Sequence, residues 1–347
     1  MKASILFISY NHAQFVGKAI RSALAQDYPE IELVVCDDAS PDETCAILEW
    51  ELENGPPNIT FVRSHSEQNV GLIRTFNRGI AACSGEIIVP MAGDDISLPH
   101  RVSMICEEFS KDPKCMLVCS DWIQIDTAGG DYGPRLIRKK NEVFSYSPSS
   151  VSIYAKAPVC GATAAYRATL RDLFPPMQKG SHAEDNCFWF RALLVGNIRY
   201  ISDPLIHWRS HGNSQSNWVR DGDTKDARVK HLRFLYAHQC MGKQWIQDLC
   251  HALESKLVTF SEFERLRLMA LFSRESYRIR RYFITPAPWQ LWLGSVSKLL
   301  RVNFSWWSFK QSLVTIAKHL KIRLFAKHRQ KYWIRYFTKN TRSKCSN

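Results

Sequence analysis

The sequence predicts an α/β protein: a mostly parallel sheet flanked by helices, followed by a helical, basic C-terminal region. Three observations predict it. Short apolar, β-branched runs alternate with segments of helical spacing through the first 125 residues. Acidic pairs stand where two of those runs end. From about Asp223 onward the pattern is almost wholly helical, and from Arg274 onward the chain is strongly basic.

The elements follow in order. Ile5 to Ile8 is an apolar run that stops at Ser9-Tyr10-Asn11, after which Phe15, Val16, Ala19, Ile20, Ala23 and Leu24 recur at helical spacing. Ile31 to Cys36 is β-branched and ends at Asp37-Asp38. Ser40-Pro41-Asp42-Glu43 reads as a helix start, with Ser40 as cap and Pro41 in the first helical position. A strand over Ile59 to Val62, a helix around Leu72 to Ala82 and a strand from Ile87 to Met91 come next, the last running into Gly93-Asp94-Asp95. A helix near Pro99 to Phe109 and a strand from Met116 to Ile125 complete the alternation. Residues 127–150, with three glycines, read as a long loop. A helix opens at His182-Ala183-Glu184-Asp185, and a strand over Ile198 to Ile201 leads into Trp208-Arg209-Ser210-His211. Right-handed β-α-β crossovers put the carboxyl ends of such strands on one edge, where ligands bind.

Composition narrows the function. The 347 residues include 45% hydrophobic and 23% charged residues, values of a folded chain. No run approaches the ~20 apolar residues of a membrane-spanning helix. Eleven cysteines lie scattered, without the spacing of a zinc site or a disulfide framework, and fit a reducing cytosol. The net charge of +13 is unevenly held: residues 274–347 carry 17 Lys and Arg against the single acid Glu275, while residues 1–273 are near neutral. The expected division is therefore 1–218 as the sheet domain and 219–347 as the helical region.

Ser9-Tyr10-Asn11-His12 follows the first strand in place of a G-x-G-x-x-G, and no P-loop is present, which disfavours dinucleotide oxidoreductases and P-loop enzymes. Carboxylates at a ligand edge repel phosphate. They make sense where one accepts hydrogen bonds from a base or ribose and another holds a divalent cation that neutralises a diphosphate. Taken singly, each acidic pair is also an ordinary turn or helix cap.

Together these segments resemble the family 2 glycosyltransferases, which have the Rossmann-like GT-A fold. The resemblance runs from Ser4 to about Ser216 and includes Asn69-Val70-Gly71, Asn77-Arg78-Gly79, Gly93-Asp94-Asp95, Glu184-Asp185 and Trp208-Arg209-Ser210-His211 in order. It implies that Ser9, Tyr10, Asn11, Asp37 and Asp38 hold the nucleotide base, with Tyr10 against its ring. It further implies that Arg74 reaches a phosphate and Asp94 faces ribose or donor sugar. Asp95 and His211 would bind Mg²⁺ or Mn²⁺, and Asp185, beside Glu184, would serve as general base. Two positions depart from the family: Ala92 stands where a further aspartate is common, and Trp208 replaces a tyrosine. The Gln-x-x-Arg-Trp motif of processive synthases is absent, which favours single-sugar transfer. The implied partners are a nucleotide-sugar donor and a saccharide or lipid-linked acceptor, in surface polysaccharide or glycolipid biosynthesis.

The tail interleaves tryptophan and tyrosine with cations, and Leu313, Ile316, Ala317, Leu320 and Leu324 form an apolar stripe opposite Lys318 and Arg323. Such a helix suits an anionic bilayer surface, so residues 282–347 are expected to bind the cytoplasmic leaflet peripherally. A nucleic-acid-binding protein is the competing class. The body holds no excess of cations and no RNA-binding signature, so no nucleic acid is expected. A sugar-1-phosphate nucleotidyltransferase would need a glycine-rich phosphate loop after the first strand, and Ser9 to Phe15 offers none.

Overall fold

The computed structural model describes residues 1–55, 60–63, 67–134, 143–146, 159–178, 180–181, 183–211 and 225–264, and single positions from 266 to 278. The first half alternates as the periodicity requires: β1 (Ala3–Ser9), α1 (Ala13–Leu24), β2 (Ile31–Asp37), α2 (Thr44–Glu53), β3 (Thr60–Arg63), α3 (Leu72–Ala82), β4 (Ile87–Ala92), β5 (Ile96–Ser97), α4 (Arg101–Lys111) and β6 (Cys115–Ile125). Then come β7 (Asp131–Pro134), β8 (Val143–Tyr146), β9 (Ala165–Arg167), α5 (Thr169–Leu173), α6 (Glu184–Val195), β10 (Asn197–Arg209) and α7 (Lys225–Glu254).

The described strands form one sheet in the order β3-β2-β1-β4-β9-β6-β10-β5, with β7 on β6 and β8 on β10. β1 pairs in parallel with β2 and β4, β2 with β3, and β6 with β10. β9 is antiparallel to both its neighbours, β4 and β6, so β6 and β10 still run with β1 to β4. The register sets Ser9 opposite Asp37, and Ile8 opposite both Cys36 and Ala92. That alignment brings the acidic strand ends to one edge.

Both faces of the sheet are covered, which is why Ile5–Ile8 of β1 and Leu33–Cys36 of β2 are continuous apolar runs instead of alternating ones. Ile5 and Phe7 face a cluster built with α1, α2 and α4, including Val16, Ile20, Leu48 and Ile105. Leu6, Val34 and Ile88 face the other side, against Phe76 of α3 and Phe188 and Trp189 of α6. Complete burial of a side chain such as Phe7 or Leu33 contributes roughly 1.5–3 kcal/mol.

Several local expectations change. α2 begins at Thr44, later than Pro41, because the Ser40 hydroxyl donates to Asp37 (2.6 Å) instead of capping a helix. The segment expected as a loop contributes β7 and β8 to the sheet edges. β10 continues through Pro204 as a 13-residue strand by shifting register there. Beyond position 218, α7 enters the same core as the sheet: Met241, Trp245 and Leu249 join the α3–α6 cluster, and the compact unit spans Met1–Tyr277. The membrane-binding segment expected at 282–347 lies outside the described residues. Among the described residues no helix is long and apolar enough to cross a membrane.

Candidate active site

Loops after the co-directional strands line a cavity of about 640 Å³. Its wall takes Ser9, Tyr10 and His12 from the end of β1, Asp38 from β2, Asp94 and Asp95 from β4, and Glu184 and Asp185 from the start of α6. Of the expected site residues, Asn11, Asp37, Arg74 and His211 do not line it. Arg74 is exposed on α3. Asn11 is also exposed, in the left-handed region at φ 57°, and its backbone N–H donates to the Ser40 hydroxyl (2.9 Å). His211 reaches the wall indirectly, through Asp94.

The first acidic pair is bonded inward. Asp37 is fully buried; one oxygen accepts from the hydroxyls of Ser9 (2.9 Å) and Ser40 (2.6 Å), and the other accepts from the Ser40 backbone N–H (2.7 Å). Asp38 accepts from the backbone N–H groups of Val70 (2.9 Å) and Gly71 (2.8 Å), which ties the end of β2 to the start of α3. Those N–H groups precede a helix, where a carboxylate satisfies orphan donors and meets the favourable end of the helix dipole.

The second pair divides. Oδ2 of Asp94 lies 2.9 Å from Nε2 of His211 and 3.8 Å from Nε2 of His12. Burial pushes the Asp94 carboxyl up, but the His211 bond and the two imidazoles together hold it below the usual range. Asp95 turns away from the histidines: its Oδ1 accepts from the Arg209 backbone N–H (2.8 Å), and only 2% of the residue is exposed. Burial and then the charge of Asp94 push its carboxyl well above the usual range. Asp95, expected as the metal ligand, thus lies apart from the group able to hold an ion. Among the described residues that group is His12, Asp94 and His211, with one ligand atom from each lying within 4.8 Å of the others.

The third pair opens α6. Oδ2 of Asp185 accepts from the Gly161 N–H (3.0 Å), and Oδ1 accepts from the backbone and side chain of Asn186 (2.6 and 2.9 Å). Glu184 reaches the cavity wall beside it, and burial followed by the charge of Asp185 pushes its carboxyl to about 8. Gly161 permits this packing, since a Cβ there would stand 2.6 Å from Oε1 of Glu184.

The family model described as Glycosyl transferase family 2 matches residues 4–174, the stretch that carries Asp38, Asp94 and Asp95. Residues 4–174 belong to that family. An uncharacterized glycosyltransferase of Nostoc is 30% identical over 220 residues, covering 61% of this chain and 66% of the relative. Chondroitin synthase of Escherichia coli is 32% identical over 214 residues, 61% of this chain but 29% of the synthase. The chain therefore spans about two thirds of the first relative and under a third of the second. The crystal structure of residues 1–349 of Staphylococcus aureus TarS superposes with a TM-score of 0.58 at 18% identity, covering 87% of this chain and 81% of that one. The fold is GT-A.

Two features of this glycosyltransferase's site escape sequence reasoning. His12 sits inside the Ser-Tyr-Asn-His segment, and its position just past a strand end was the available signal. Arg209 binds the site together: besides the Asp95 contact, its guanidinium donates to the carbonyls of Asp94 (2.8 Å) and Asp126 (2.7 Å) and lies 4.8 Å over the Phe15 ring. Nothing in the local sequence announces that role. The donor set at His12, Asp94 and His211, two imidazoles and a carboxylate, fits a divalent cation.

The transferase's α6 is held from behind. Arg191 makes a two-point ion pair with Asp248 of α7 (both 2.9 Å), fully buried, and Gln244 donates to the same carboxylate. The Trp245 indole N–H donates to the Asn186 carbonyl (2.9 Å), and its ring stacks on Phe190 at 5.0 Å. α7 thereby braces the residue next to Asp185.

Proposed function

We propose that this family 2 glycosyltransferase moves a sugar from a nucleotide-sugar to an acceptor hydroxyl with inversion at the anomeric carbon. One observation carries the reading: Asp38, Asp94 and Asp185, from three distant stretches of chain, line a single cavity at the carboxyl edge of the sheet. TarS, whose fold this chain shares, has been crystallised with UDP-GlcNAc (TM-score 0.53).

In this reading Tyr10, exposed at the cavity mouth, lies against the base, and the Asp37–Asp38 segment shapes the base pocket. Asp94 and His211 would hold a divalent ion, which supplies positive charge for the departing diphosphate. Asp185 takes the proton of the acceptor hydroxyl as that oxygen bonds to the anomeric carbon and the bond to the diphosphate oxygen breaks. General-base assistance of this kind is worth about 10²- to 10⁴-fold in rate. Glu184, carrying a proton near neutral pH, limits like-charge repulsion beside the base.

The kinship with chondroitin synthase and the basic tail support a role in surface polysaccharide or glycolipid assembly, at the cytoplasmic face of a membrane. Deleting 282–347 should then reduce co-sedimentation with anionic vesicles; unchanged binding rejects the membrane role. The central test is a thermal-shift screen of UDP-, dTDP- and GDP-sugars with and without Mn²⁺, followed by transfer assays. Asp185→Asn should abolish transfer while keeping the sugar-nucleotide shift. Turnover by that variant removes Asp185 as base.

A further inference from the structure

We infer that His12, Asp94 and His211 form a two-imidazole, one-carboxylate site that selects a transition-series divalent ion over Mg²⁺. The inference deepens the proposed function, because the ion would serve the same diphosphate subsite.

The three ligands come from three separate strand ends. Nε2 of His211 and Nε2 of His12 converge on one oxygen, Oδ2 of Asp94, at 2.9 and 3.8 Å. Neighbouring ligand atoms on an octahedral ion with bonds of ~2.1 Å stand roughly 3 Å apart. The His211 edge already has that length, and the His12 edge needs to close by less than about 1 Å.

Both rings are pinned. The His211 ring packs on Phe15 with centroids 4.9 Å apart. Nδ1 of His12 is buried and faces Gly93, where a Cβ would come within 2.9 Å of it, so a side chain at 93 would displace the ring. Nε2 is the atom that points at Asp94.

The neighbours that could have supplied oxygen ligands do not. Ala92 has no ligand atom, and the Asp95 carboxylate is turned to the Arg209 backbone. The set is therefore nitrogen-rich. Mg²⁺ binds through oxygen and keeps much of its water, whereas imidazole raises affinity along the series from Mn²⁺ to Zn²⁺. His12 is the residue that tips the balance.

The test measures ion binding without turnover, on the full chain. Mn²⁺ binding is followed by loss of the free-ion electron paramagnetic resonance signal, and Mg²⁺ binding by competition. Wild type should prefer Mn²⁺ by about tenfold or more. Loss of an outer-shell partner already costs 10- to 100-fold in metal affinity, so His12→Ala should weaken Mn²⁺ by at least about tenfold and leave Mg²⁺ nearly unchanged. His12→Asp should narrow the Mn²⁺/Mg²⁺ preference. Circular dichroism checks folding, and His12→Gln carries the same expectation should His12→Ala fail to fold. Wild-type Mn²⁺ affinity in folded His12 variants, with binding lost in Asp94→Asn, overturns the role of His12 while leaving the proposed function standing. Equal wild-type affinity for the two ions, or no Mn²⁺ binding, overturns the selectivity itself.

Discussion

Asp37–Asp38 and Asp94–Asp95 occupy matching places, each at the carboxyl end of a parallel strand, yet their carboxylates meet opposite surroundings. The first pair is met by hydroxyl and backbone N–H donors from Ser9, Ser40, Val70 and Gly71, and so joins β1, β2 and α3 into one frame. The second pair is split between two histidines and a buried arginine segment: Asp94 meets imidazoles, and Asp95 meets the Arg209 backbone. The Asp37 and Asp38 carboxylates are taken up in joining the strand ends to the loops and helix that follow them, and serve as scaffold. Asp94 lines the cavity and meets ring nitrogens instead, which leaves it available for chemistry.

Substitutions should separate the two regions by the quantity they change. Asp94→Asn should lower transfer by on the order of 10²- to 10³-fold, the usual cost of losing one electrostatic stabiliser at a developing charge, with little change in melting temperature. A large loss of stability in Asp94→Asn would erase the contrast. Asp37→Ala should act the other way, lowering the unfolding free energy in urea by roughly 3 kcal/mol, because it leaves the Ser9 and Ser40 donors unmatched in a buried place. Asp38→Ala strips Val70 and Gly71 of their acceptor and should cost about 2 kcal/mol.

The smallest effect is a pH dependence within the second region. The Asp95 carboxyl is raised in the native state, so the native protein holds a proton that the unfolded chain releases in the ordinary carboxylate range. The stability it contributes is full below that range and is lost as pH rises through the native value. Glu184 behaves alike, between its ordinary value of 4.5 and about 8. Glu184→Gln and Asp95→Asn should each flatten the fall of melting temperature between pH 5 and about pH 8. An unchanged slope in both variants would mean these carboxyls ionise as freely as in the unfolded chain.

The legible part of this molecule is the part that repeats over short distances. Apolar runs at Ile5–Ile8, Ile31–Cys36 and Ile87–Met91 became β1, β2 and β4, and the acids after them reached one edge because parallel strands share a direction. β9 was not legible, since three residues carry no period and the strand exists by fitting between β4 and β6. Nor was the late start of α2, where Ser40 could cap a helix or bond to Asp37 and the fold chose the latter.

By itself, then, the sequence determined the sheet, the direction of its strands, the family and the presence of carboxylates at the ligand edge. The tertiary structure alone decided which carboxylate does what. Asp94 and Asp95 are adjacent and chemically identical. They differ because His211 lies 117 residues away from one and the Arg209 backbone lies 114 away from the other. Periodicity is a local property of the chain, whereas the charge state and partner of a side chain depend on whatever the fold sets against it.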